Sequence, residues 1–125
     1  RSTGLADLDA INQFDLELAP GYAISKAALN VAVAKFSAQY KQQGVLFMSI
    51  APGVIDVGHH RDATPEQLQK MAGTFQKFVA YAPHFTGPDS PEAGIRKVIS
   101  VIERASIEDG FGGSFVSHHG NKQWL

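Results

Sequence analysis

A long alanine-rich stretch that runs directly into a short apolar run limits the chain more than any other feature. From Gly21 to Gln43 the residues Tyr22, Lys26, Leu29, Val33, Phe36 and Tyr40 recur at helical spacing among many alanines. Alanine is the best helix former, and Gly44 supplies the left-handed residue that stops a helix. Val45 to Ala51 is nearly unbroken apolar sequence, too short for a helix and ended by Pro52 and Gly53. It predicts a strand buried on both faces of a parallel sheet. A long helix feeding such a strand is an α/β signature.

The remaining elements fall around this pair. Residues 4 to 20 read mostly as a connecting loop with a short helical turn from Asp7 to Phe14 and buried anchors among Leu5, Leu8, Ile11, Phe14 and Leu18. Thr64 is placed to cap a helix, with Pro65 at its first position and Gln67 at the capping-box position. Leu68, Met71, Phe75 and Val79 continue it toward Tyr81-Ala82-Pro83. Ser90-Pro91-Glu92 opens another helix, with Ile95, Val98, Val101 and Ile102 on its apolar side. Gly110 to Gly113 break the chain before Ser114 to Ser117, the candidate last strand. With no internal repeat and no linker, residues 1–125 read as part of one domain.

Composition narrows the function classes. Eleven basic residues against twelve acidic ones give a net charge of −1, with neither sign gathered into a block, which argues against a nucleic-acid or polybasic membrane partner. The longest apolar stretch, near Ala27 to Phe36, is interrupted by Asn30 and Lys35 and falls short of the roughly 20 residues of a membrane span. The absence of cysteine excludes disulfides, thiol catalysis and cysteine-ligated metals, and fits a reducing, cytoplasmic setting. The opening Arg1-Ser2-Thr3-Gly4 has no initiating methionine and no signal-peptide pattern, and reads as cut from something longer.

Tyr22 and Lys26 stand four residues apart, so on a helix they share a face. A tyrosine titrates near 10, and a nearby cation favours the phenolate, which suits proton exchange with a carbonyl oxygen as hydride reaches its carbon. The spacing alone occurs on many helices by chance. His59, His60, His84, His118 and His119 lack metal-ligand spacing and read as solvated loop residues, with His59 and His60 as alternative substrate contacts. Phe75, Phe78 and Tyr81 are set to cover the core or a substrate pocket.

Tyr22-Ala23-Ile24-Ser25-Lys26-Ala27-Ala28-Leu29-Asn30, followed by a strand ending in Ala51-Pro52-Gly53-Val54-Ile55-Asp56, resembles the active-site helix and the strand-to-Pro-Gly turn of short-chain dehydrogenases/reductases. The resemblance extends more loosely from Ser2 to the end of the chain. It implies an α/β fold that is a partial Rossmann-type doubly wound parallel sheet, comprising the last strands and helices of a three-layer α/β/α domain. It also implies an NAD(P)-dependent carbonyl reductase or alcohol dehydrogenase as the intact parent, with NADP favoured over NAD.

Tyr22 would be the acid/base, and Lys26 would support it and hold the nicotinamide ribose. Thr3, or else Ser2, would hold the substrate carbonyl, with residues from Leu5 to Pro20 looping over the site as an insertion. Pro52 and Gly53 would lie beside the nicotinamide, and the backbone at Ile55 would bind its carboxamide. Val57 stands where the family usually has a threonine, and it carries no hydroxyl. The family's strand, glycine-rich turn and helix for the pyrophosphate are missing from the chain. Gly110 to Gly113 precede a strand and read as an ordinary turn. The isolated chain is therefore expected to be inactive, and the parent to be a homo-oligomer through the Tyr22 helix. The alternative is a non-enzymatic binding or oligomerisation module derived from the same fold.

Overall fold

The computed structural model describes residues 4–125, with the backbone alone at His59 and His60. Ser2 and Thr3, the two candidates for the carbonyl-holding hydroxyl, lie outside the described residues. Helices form where the sequence offers both a start and a stop. Asp7 caps α1 (Leu8–Phe14) by accepting a hydrogen bond from the Ala10 N–H at 3.0 Å. α2 (Pro20–Tyr40) continues into a 3-10 turn (Lys41–Gln43) and ends at Gly44, which has a φ of 76°. α3 (Pro65–Tyr81) begins with a full capping box: Thr64 Oγ1 accepts from the Gln67 N–H at 3.3 Å, and Gln67 Oε1 accepts from the Thr64 N–H at 2.8 Å. Ser90 caps α4 (Pro91–Arg104) through the Ala93 N–H at 3.2 Å.

Between these helices lie β1 (Ser49–Ala51) and β2 (Phe115–Ser117), paired in parallel with Ser49 opposite Phe115 and Ala51 opposite Ser117. A parallel pair needs a crossover, and here it contains both α3 and α4. The α/β expectation holds, but the strand expected from Val45 is shorter and less buried than its composition implies. Among the described residues only β2 pairs with β1, along one edge, and the run's side chains are only partly covered. Val45 is exposed, Leu46 to Ile50 are half-buried, and only Ala51 is fully enclosed. The approach starts earlier than the strand, with Phe47 C=O accepting from the Gly113 N–H at 2.7 Å.

Gly113 sits at φ 74°, where an added Cβ would lie 3.3 Å from Ser37 Cβ and 3.4 Å from Ala34 Cα. The glycine turn thus lets the chain entering β2 run close against the small residues of α2, an ordinary structural use. The core gathers Ala10, Ala51 and Trp124, with Phe14, Tyr81 and Phe115 packed on it. Trp124 and Phe115 lie 4.8 Å apart, centroid to centroid, and Phe14 and Tyr81 4.1 Å. Lys122 spans the rings of Phe115 and Trp124 and reaches the Asp7 carboxylate at 2.8 Å, tying the last residues to the start of α1.

α4 departs from its expected face. Val101 is fully buried and Gly94 is enclosed, while Ile95, Ile99 and Ile102 form an exposed apolar row. Among the described residues, no helix is long and apolar enough to cross a membrane.

Candidate active site

α2 begins with Pro20 at its first position but without a side-chain cap, because its N-cap residue is Ala19. Ala19 adopts a left-handed backbone, φ 50° and ψ 57°, which an L-residue takes up at a cost of about 1 kcal/mol or more. The turn that follows carries Tyr22 and Lys26 on one face, with Lys26 Nζ 5.5 Å from the centre of the Tyr22 ring. Ser25 Oγ donates to the Tyr22 carbonyl at 2.7 Å. Tyr22 itself is 36% exposed. Among the described residues neither the phenol nor the ammonium has a hydrogen-bond partner, so both remain available to a bound molecule.

The Pro52–Gly53 turn is held far more tightly. Gly53, at φ 85°, is buried, and a Cβ there would lie 2.9 Å from both Cε1 and Nδ1 of His118. Beyond it, Asp89 forms a parallel bridge with Ile55. The Asp89 N–H donates to Val54 C=O at 2.8 Å, and the Asp56 N–H donates to Asp89 C=O at 2.9 Å. In a parallel bridge these are the groups of the residues on either side of Ile55, so the N–H and C=O of Ile55 itself point away from Asp89. The Ile55 side chain runs against α4, where a Cβ on Gly94 would meet Ile55 Cδ1 at 2.2 Å. Val57 projects outward, 60% exposed.

His118 and Gly94 were not among the sequence candidates. A glycine inside a well-capped helix costs up to about 1 kcal/mol relative to alanine, and its packing against Ile55 accounts for it; that interior glycine was the available signal. The reading of His118 as a solvated loop residue is corrected. It follows β2 directly and is only 7% exposed, whereas the adjacent His119 is open to solvent. Its Nδ1 is shut off from solvent with no hydrogen-bond partner, an arrangement costing about 1–3 kcal/mol. Burial, then the neighbouring His119 and Lys97, lower its pKa to about 4, with Asp89 opposing them. The ring is neutral at neutral pH.

A cavity of about 910 Å³ borders the two regions without being lined by Tyr22, Lys26, Pro52, Gly53 or Ile55 themselves. Ala19, three residues before Tyr22, and Val54, next to Gly53, both line it, and Met71, Phe75 and Phe78 of α3 form an apolar wall. Leu5 and Leu18 close it from the segment around α1. Lys77 of α3 donates to the Asp15 carbonyl at 2.7 Å and pins that segment to the helix. Phe75 and Phe78 therefore line the cavity, as expected, while Tyr81 belongs to the core. His59 to Asp62 form a 3-10 turn whose last residue, Asp62, lines the cavity together with the following Ala63, with the His59 and His60 side chains outside the description.

Comparison with known proteins gives sequence relatives but no structural ones. No protein-family model matches the chain, and no solved structure does. A short chain dehydrogenase, virK, of Hypocrea virens is 68% identical over 124 residues, covering 99% of this chain and 46% of the relative. A short-chain dehydrogenase/reductase, iacC, of Pestalotiopsis fici is 55% identical over 124 residues with the same coverage. AacuF of Aspergillus aculeatus, named likewise, is 45% identical over 130 residues. The chain spans about half the length of the curated relatives it matches.

Proposed function

We propose, from the premise that the chain belongs to the short-chain dehydrogenase/reductase family, that it carries the proton-transfer site of an NAD(P)-dependent oxidoreductase acting on a carbonyl/alcohol pair. The observation that carries the proposal is the Tyr22–Lys26 pair, on one helical face with unpartnered polar groups, at the end of α2 that borders the cavity. Within it, Tyr22 Oη gives its proton to the carbonyl oxygen. Lys26 favours the phenolate that remains, and its ammonium is free to hold a ribose hydroxyl. Thr3 or Ser2 orients the carbonyl. The apolar wall from α3 takes the body of a small-molecule substrate and excludes water.

The nicotinamide, when bound, supplies the hydride. The residues present fit that end of the cofactor. Ile55 presents an N–H and a C=O turned away from Asp89, a donor and an acceptor matching a carboxamide. Val57 offers no hydroxyl, so the contact there is confined to the backbone. The one strand followed by a helix, β1, reaches α3 through Pro52–Gly53 and a further loop and 3-10 turn, and among the described residues no glycine-rich turn leads a strand directly into a helix N-terminus, so pyrophosphate anchoring is assigned to sequence that the relatives carry beyond the matched half. On this reading the chain is the C-terminal part of one Rossmann-type, doubly wound α/β/α domain. The cofactor is NAD or NADP, with NADP favoured, the enzyme is cytoplasmic, and these 125 residues alone are inactive.

Homo-oligomerisation through α2 belongs to the same proposal, supported by Ile24, Leu29, Val31 and Phe36 exposed along that helix. Those residues also favour the second reading, a non-enzymatic binding module. One experiment separates the two. The full-length protein should reduce carbonyl compounds with NADPH or NADH, and Tyr22→Phe should lower kcat by about 10²–10⁴-fold while dinucleotide binding and folding persist. Unchanged turnover in Tyr22→Phe overturns the enzymatic assignment.

A further inference from the structure

Three contacts converge on residues 53 to 56, each from a different part of the chain. His118, following β2, presses its ring against the Gly53 backbone. Asp89, preceding α4, bridges Val54 and Asp56 through its own N–H and C=O, and Lys97 of α4 binds its carboxylate. Gly94 in α4 leaves the space that the Ile55 side chain fills. The contacts restrain the turn in complementary ways. The bridge fixes its direction along the chain, the Gly94 notch fixes the rotation of Ile55, and the His118 ring fills the space beside Gly53.

An imidazole is a costly choice for a purely apolar filling role, because its Nδ1 is buried without a partner. A flat ring of that size nevertheless fits closely where Gly53 has no side chain.

We propose that His118 and Gly94 are positioning residues, which hold the Pro52–Gly53 turn and the Ile55 backbone in place for the nicotinamide end of the cofactor. This rests on the oxidoreductase reading above. Neither residue touches the reacting atoms; both act through the turn. Displacing a binding backbone by a fraction of an ångström weakens what it holds while leaving the proton-transfer pair on α2 in place.

The test uses the full-length protein and steady-state kinetics, with dinucleotide and carbonyl substrate varied separately. His118→Ala should raise KM for the dinucleotide about tenfold and change kcat less than about threefold. His118→Leu, which restores side-chain volume without the unpartnered nitrogen, should return KM most of the way to the parent value. Gly94→Ala improves helix propensity, so its backbone favours folding. It should raise KM for the dinucleotide in the same way, because its Cβ displaces Ile55 Cδ1, and the added change Ile55→Val, which removes Cδ1, should restore it.

Altered melting temperature with KM for the dinucleotide within twofold, in both His118→Ala and Gly94→Ala, overturns the inference. If that occurs while Tyr22→Phe still abolishes turnover, the oxidoreductase reading stands and only the positioning role is lost. A parent protein that neither binds nor turns over a dinucleotide removes both.

Discussion

The Pro52–Gly53 turn and the first turn of α2 carry the two ends of the proposed site, and they are built on opposite plans. The turn is enclosed by groups from β2, α4 and the segment before α4, so its backbone is fixed by contacts within these residues. Tyr22 and Lys26 stand on an uncapped, largely exposed helix start that follows a strained Ala19. The comparison separates two ways of presenting chemistry. The backbone groups proposed to bind are set by packing, while the side chains proposed to exchange protons are left open in these residues.

Lys26→Met should sharpen that contrast most. In the full-length protein it should lower kcat and weaken dinucleotide binding together, by about 10²-fold or more in kcat, with the melting temperature almost unchanged because the side chain is exposed. Stopped-flow turnover with calorimetry reads both quantities. A loss confined to stability would make Lys26 a structural residue and erase the contrast.

Gly53→Ala should do the reverse, acting first on the fold. It places a Cβ against His118 at a φ of 85°, and a loss of about 1–3 kcal/mol in a denaturant melt is expected. An unaffected melt would mean that the turn is less tightly enclosed than the His118 contact indicates.

The pH dependence of stability follows from His118. Its folded-state pKa, about 4, lies below the ordinary value of 6.5, so the unfolded chain takes up a proton that the folded chain refuses. The His118 contribution is fully present above about pH 6.5 and is lost progressively as pH falls toward 4. Chemical denaturation across that window should show a positive slope of stability against pH, reduced in His118→Leu. An identical slope in the variant would assign the effect to other groups.

The smallest effect is expected at the start of α3. Thr64→Ala removes half of the α3 capping box and should cost about 1 kcal/mol, with KM for the dinucleotide untouched. A change in that KM would show that α3 and the turn are coupled across the cavity they share.

Helix limits were legible because capping is local. Thr64 and Ser90 each lie within three residues of the N–H they satisfy, and Gly44 ends its helix by its own backbone, whereas the Asp7 cap of α1 was not read from the sequence. The Tyr22–Lys26 face was legible for the same reason. β1 was less so: Val45 to Met48 have the composition of a buried strand, but the pairing that makes a strand depends on what lies beside it, and only Ser49–Ala51 meet β2 in register. His118 and Asp89 were invisible as site residues because their significance arises from contacts with a turn distant in sequence, and the interior glycine of α4 signalled a close contact at Gly94 without naming its partner. No local pattern records that Gly94 accommodates Ile55.

The parallel pairing of β1 with β2 has a consequence for how the chain acquires its shape as it leaves the ribosome. α2 can form as soon as it emerges, since its hydrogen bonds are local, whereas the Pro52–Gly53 turn must wait until α3, α4 and β2 have all been synthesised before His118 can come to rest beside it. Through that interval the helix bearing the proposed proton donor exists before its counterpart has a defined form. The apolar run leading into β1 meanwhile lacks β2 along the edge where the two pair.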